Sequence, residues 1–177
     1  MRQILLIATF LVVNLFTAQE GSPVTYTDVV KVSDSTKSAK ELYGNAKMWF
    51  TNTFKNPKHV IVLDDPINNT IVGRGTVFYR GKYAGGAGRT GNISFKVSIA
   101  TKNGRYKYEV SEFISDKFGY VTTGEYLPGV NSWIDGSEAF RKKIAKDVQD
   151  FVKAEAESLI SSISSEMNKV SVKKDDW

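Results

Sequence analysis

The chain contains no cysteine. That excludes a disulfide scaffold, a thiolate metal site, a cysteine nucleophile and a lipid-anchored N-terminal cysteine. It contains a single histidine, His59, so a multi-histidine metal centre is excluded too. No G-x-S-x-G stretch marks a hydrolase nucleophile. There is no internal repeat and no heptad array. After the first 16 residues no apolar run approaches the roughly 20 residues that a membrane-spanning helix needs. What remains is 177 residues, 41% hydrophobic and 24% charged, with a net charge of +5. A chain of this size buries roughly two-thirds of its unfolded surface and builds one core unaided.

The N-terminus reads as an export signal over residues 1–19. Arg2 gives the positive start, Ile4–Phe16 is an apolar run broken only by Thr9 and Asn14, and Thr17-Ala18-Gln19 offers cleavage after Ala18 or Gln19. The expected product is periplasmic or secreted, with no membrane span once the signal is removed. The lack of cysteine suits an oxidising compartment.

Residues 20–168 read as one domain and 169–177 as a loose tail. Val24–Val32 is β-branched and predicts a strand. Ser38-Ala39-Lys40-Glu41 is a capping box, and Leu42, Ala46, Trp49, Phe50 and Phe54 then share one helix face, ending near Asn56-Pro57. His59–Leu63 predicts a buried strand and Asp64–Asn69 a turn. Thr70–Arg80 predicts a strand with Ile71, Gly73, Gly75, Val77 and Tyr79 on one face. Two glycines there imply that a helix backbone or a bulky ring packs close. Ile93, Phe95, Val97 and Ile99 alternate with polar residues, and Asn103-Gly104 predicts a type I′ hairpin. That turn pairs Ile99 with Tyr108, Val97 with Val110 and Ser98 with Glu109, and places Lys96 diagonal to Glu109. The alternation slips at Glu112-Phe113, so a bulge near Ser111-Glu112 is expected to return Phe113 to the inner face. Residues 115–136 form a long connection compatible with an extra edge strand over Tyr120–Thr123. Ser137 to about Asn168 predicts a long amphipathic helix whose four late serines weaken its final turns.

This order of elements predicts an α+β two-layer sandwich, with an antiparallel sheet and two helices on one face. The other face would carry Arg74, Thr76, Ser94, Lys96, Ser98, Lys107 and Glu109. The signal, "SAKELYGNAKMWFTNTFKNPKHVIVLDD", "IVGRGTVFY" and the hairpin with "GRYKYEV" resemble the secreted bacterial proteins of the domain of unknown function 4468 family. The resemblance covers roughly residues 37 to 115. It implies a TBP-like (TATA-binding-protein-like) β-α-β(4)-α fold and an exported protein, and it brings no catalytic residue with it. The fold's namesake binds DNA through two fused repeats. A single repeat with a small positive excess gives little phosphate affinity, so no nucleic acid partner is expected.

Gly86-Ala87-Gly88-Arg89-Thr90-Gly91 matches the dinucleotide fingerprint in letters. That motif needs a helix after it to hold the pyrophosphate, and here a strand follows. His59 has no nucleophile or second ligand in a recognisable motif beside it. Asp64 and Asp65 with Asn68 and Asn69 fail the EF-hand spacing and suit a turn. No metal site, cofactor or catalytic set is expected. The candidate ligand-binding residues are Tyr83, Arg89, Phe118, Tyr120, Tyr126 and Trp133, beside the basic face of Arg74, Lys96 and Lys107. Loop aromatics of this kind line grooves for an apolar, sugar-like or peptide ligand, or tuck under their own loops to seal the core. The expectation is an exported, non-catalytic binding or envelope-interaction domain whose partner is a protein, a glycan or a small apolar molecule. The alternative is an enzyme or small-ligand carrier with its site on the loops at 81–91 and 115–136.

Overall fold

The computed structural model describes residues 21–82, 90–125, 127, 129 and 136–169. Among the described residues six strands and three helices follow one another: β1 (Tyr26–Lys31), α1 (Ala39–Thr53), α2 (Pro57–Val60), β2 (Ile61–Asp65), β3 (Thr70–Arg80), β4 (Thr90–Lys102), β5 (Arg105–Ser115), β6 (Gly119–Tyr120) and α3 (Glu138–Asn168). The sheet is antiparallel in the order β1-β5-β4-β3-β2, with the short β6 paired to β5.

Helix α1 begins at the capping box. The Ser38 hydroxyl accepts from the Glu41 amide, and the Glu41 carboxylate accepts from the Ser38 amide at 2.7 Å. The helix ends at Thr53, short of Asn56-Pro57, because Phe54 is already extended. Its buried face, Leu42, Ala46, Trp49 and Phe50, lies on the inner side of the sheet. The two glycines of β3 set how closely it lies. A Cβ built on Gly73 would stand 2.4 Å from the Phe50 ring, and one on Gly75 would stand 2.5 Å from Phe95 and 2.9 Å from Phe54. Of the two neighbours expected above the glycine pair, a helix backbone or a bulky ring, the structure has rings, a cluster of three phenylalanines. Trp49 packs edge-on against Phe50 with centroids 4.8 Å apart.

Helix α3 covers the same face. Tyr79, six residues from Gly73 on the inner side of β3, packs edge-on against Phe151. The Tyr79 hydroxyl donates to the buried Asp147 carboxylate at 2.7 Å, and the Lys82 amide donates to it at 2.9 Å. The serines do not loosen the end of this helix. Ser162 accepts the Trp49 indole N–H at 2.8 Å, and Ile163 and Met167 are fully buried. The buried Lys37 ammonium donates to the Met167 and Lys169 carbonyls, which satisfies groups that a helix C-terminus leaves open. Tertiary partners here override weak local propensity.

Three local expectations are corrected. The segment His59–Leu63 is not a buried strand. Pro57 starts a single helical turn that contains His59, and β2 is an edge strand with Val62 57% and Leu63 46% exposed. The Asn103-Gly104 hairpin has the predicted register but is not type I′. Gly104 has φ +69°, whereas Asn103 is not among the left-handed residues. The tip is held from outside: Asn103 accepts the Ala39 amide at 2.8 Å, and the Gly104 amide donates to the Lys37 carbonyl at 2.8 Å. The extra strand is β6, Gly119–Tyr120, followed by a single bridge between Pro23 and Thr122. The expected bulge is present: Glu112 adopts φ +54°, the register shifts opposite Ser94–Lys96, and Phe113 is buried.

Because Phe50 is fully buried, its ring has little room to retreat. Gly73→Ala is expected to cost about 1–3 kcal/mol by overpacking, read as a lower urea midpoint with unchanged slope. In a Phe50→Leu background the same substitution should cost less. Equal cost in both backgrounds would mean that ring and glycine are not coupled.

Candidate functional site

With both helices on the inner side, no described element covers the other face of the sheet. Strand alternation assigns its rows. At one end Val29, Lys107, Ala100, Thr70 and Asp65 stand side by side across β1, β5, β4, β3 and β2. In the next row are Thr27, Glu109, Ser98, Val72 and Leu63. Beyond these come Lys96 and Arg74, then Ile114, Ser94 and Thr76, with Tyr120 opposite Ile114. Phe78, 59% exposed, stands near the far end.

The middle of this face is an ion-pair network made possible by the bulge. The left-handed backbone at Glu112 lets two consecutive side chains, Ser111 and Glu112, serve the open side before Phe113 turns inward. Glu112 accepts from Arg74 at 2.6 Å and from Lys96. Lys96 also lies 3.9 Å from Glu109, which accepts from the Ser111 hydroxyl. The Lys96 ammonium holds the Glu112 carboxyl below its ordinary range, and the Arg74 guanidinium adds to this. The expected basic face of Arg74, Lys96 and Lys107 is thus corrected in part. Arg74 and Lys96 are spent on Glu112, which lies 38 and 16 positions further along the chain.

The end nearest the Asn103-Gly104 turn differs. A cleft of about 560 Å³ is lined by Val29, Thr70, Ala100, Lys102, Arg105 and Lys107, among others. A neighbouring hollow shares Asn68, Thr101, Lys102 and Arg105 and runs past the turn toward Ile67.

A second set of polar groups joins α1 to β2. The Tyr43 hydroxyl donates to Asp64, which also accepts from Lys47 at 2.5 Å. Burial, then the bond to the carboxylate, pushes the Tyr43 hydroxyl up to about 12, while Lys47 and Tyr43 hold Asp64 low. None of the three lines the cleft, and the clamp ties the edge strand to the helix. Asp65 accepts from the Ile67 and Asn68 amides, as the turn reading of this segment requires.

Of the six candidate ligand-binding residues, Tyr83, Arg89, Tyr126 and Trp133 lie outside the described residues. So does most of the Gly86–Gly91 segment, although Thr90 and Gly91 already belong to β4. The structure separates the remaining two. Phe118 is 1% exposed and part of the core, whereas Tyr120 is 47% exposed on β6. His59 is exposed on α2.

The family model for a domain of unknown function (DUF4468) with TBP-like fold matches residues 26–115, the span from β1 through the bulged β5. The chain belongs to this family. Among solved structures, a DUF4468 family protein from Bacteroides ovatus is similar with a TM-score of 0.55 and 14% identity, covering 85% of this chain and 90% of that one. A TBP-like protein from Parabacteroides distasonis gives a TM-score of 0.49 and 16% identity, covering 80% of this chain and 92% of that one. The former likeness is one of fold. No curated protein sequence matches the chain.

The Glu112 network makes a pH prediction. Its folded pKa lies below the ordinary 4.5, so the unfolded state binds more protons between the two values. Its contribution is fully present above the unfolded value and is lost as pH falls through the folded one. Glu112→Gln should lower stability at neutral pH and make the loss of stability as pH falls below the ordinary 4.5 shallower. Denaturation midpoints across that range read it, and an unchanged acid limb would contradict it.

Proposed function

We propose that this family member is an exported, non-catalytic binding module that engages its partner through the open face of the sheet. One observation carries the reading. A sheet face left bare by both helices keeps Val29, Leu63, Phe78 and Tyr120 substantially exposed. Scattered apolar residues need no explanation, but four on one uncovered face, around a charged centre, suit a contact surface. The acids at the centre of that face, Glu109 and Glu112, are engaged by cations and a hydroxyl rather than poised as an acid–base pair. Export rests on the leader-like first 19 residues. No described helix is long and apolar enough to cross a membrane.

Two measurements test this. Intact mass of the protein recovered from its bacterial host should show loss of the first 18 or 19 residues, and a retained Met1 contradicts export. Native mass spectrometry of gently purified protein should show a bound component. That component should be lost when Leu63, Phe78 and Tyr120 are all changed to Ser, and kept when the helix-borne Lys153 is changed to Gln. Retention by the triple variant would move the site off this face.

A further inference from the structure

The hairpin end of the open face carries an arrangement that the fold itself does not need. The register sets Lys31 opposite Arg105 and Arg105 opposite Lys102. Three cations therefore stand in one row across β1, β5 and β4. Lys107, two residues along β5, adds a fourth on the same face. All four are exposed, and no ion pair joins any of them to an acid among the described residues. Like charges directly opposite one another on neighbouring strands repel and destabilise the sheet. In the middle of the same face Glu109 and Glu112 engage the cations; at this end the acid Asp65, opposite Thr70, accepts from the Ile67 and Asn68 amides and the Asn68 side chain and pairs with none of the four.

The row borders the cleft of about 560 Å³, a size that suits a small ligand. Lys102, Arg105 and Lys107 form part of its wall, together with Val29, Ala100 and Thr70. Cations beside carbon surface select for an occupant with both characters. We infer that this cleft binds a small amphipathic anion, its phosphate or carboxylate held by Lys102, Arg105 and Lys107 and its apolar body laid against Val29 and Ala100. The inference rests on the open face being the binding surface and names the ligand class for one end of it. A long polyanion fits less well, because the neutral network of Arg74, Lys96, Glu109 and Glu112 interrupts any continuous basic track across the strands.

Octyl phosphate supplies both characters and serves as the probe. Added to the purified full chain, it should bind saturably and shift the NMR signals of Val29, Thr70 and Ala100. Inorganic phosphate, which lacks the body, should bind at least tenfold more weakly, and octanol should not bind saturably. The double change Lys102→Gln with Arg105→Gln should weaken octyl phosphate at least tenfold, and Lys153→Gln should leave it unchanged. Without ligand, the double variant should melt at the same temperature as the parent or higher, since the repulsion is relieved. Absence of saturable binding, undiminished binding by the double variant, or equal loss with Lys153→Gln overturns the proposal. A lower melting temperature of the unliganded double variant assigns the cations a structural role and also overturns it. Sedimentation with phosphatidylglycerol vesicles, without binding of free octyl phosphate, would replace the cleft by a membrane surface. If octyl phosphate fails while the Leu63, Phe78 and Tyr120 changes still release a bound component, this site falls and the open-face reading stands.

Discussion

The contact between the Phe50 ring and the bare backbone of Gly73 governs this architecture. It brings helix α1 against the sheet closer than any side chain on that position would permit. Gly75 repeats the arrangement with Phe54 and Phe95, so a layer of rings replaces the layer of methyls that a usual strand would offer. Trp49 extends the layer and, through its indole N–H to Ser162, fixes α3 beside α1. With Tyr79 bonded to Asp147, both helices are committed to one side. The bare face is the direct consequence. Among the described residues no third layer covers it.

That face is not uniform, and the difference follows from one residue in a left-handed conformation. At the bulge, Glu112 is turned toward Arg74 and Lys96, which neutralises the middle of the sheet. Toward the hairpin the regular ladder resumes, and its register aligns Lys31, Arg105 and Lys102 with no acid between them. Cross-strand repulsion of this kind is a local conflict in an otherwise consistent sheet, and such conflicts concentrate where a surface serves something other than folding. The hairpin tip tolerates it because it is anchored elsewhere, through Asn103 to Ala39 and Gly104 to Lys37.

Much of the fold is legible in the sequence where signals are local. The Ser38–Glu41 box, the alternation from Ile93 to Ile99, the Asn103-Gly104 register and the bulge before Phe113 all rest on neighbours within a few residues, and all are present. The glycine pair announced a helix backbone or a bulky ring packed close, and rings lie there. What failed depended on distant partners. His59–Leu63 is apolar enough for a buried strand, yet its place at the sheet edge leaves Val62 and Leu63 exposed. The serines of α3 are weak helix formers, yet Trp49 and Lys37 hold the turns that contain them. The candidate site was read from loop aromatics, of which Tyr83, Arg89, Tyr126 and Trp133 lie outside the described residues, Phe118 is buried in the core and Tyr120 is exposed on β6. Lys102 facing Arg105 was implicit in the hairpin register, but Lys31 joins the row only because β1 pairs with β5, some 75 positions away. No periodicity within either segment announces that pairing.

The central claim is that one sheet face is sealed by rings and helices while the other is free to meet a partner. Methyl signals in the presence of a soluble paramagnetic agent test it most directly. The account predicts strong broadening for Val29, Thr70 and Ala100 and sharp lines for Ile71, Val97 and Ile99, which alternate with them or face the helices. Sharp lines for Val29 and Ala100 in the isolated protein would mean that something already covers the face, and would contradict the account.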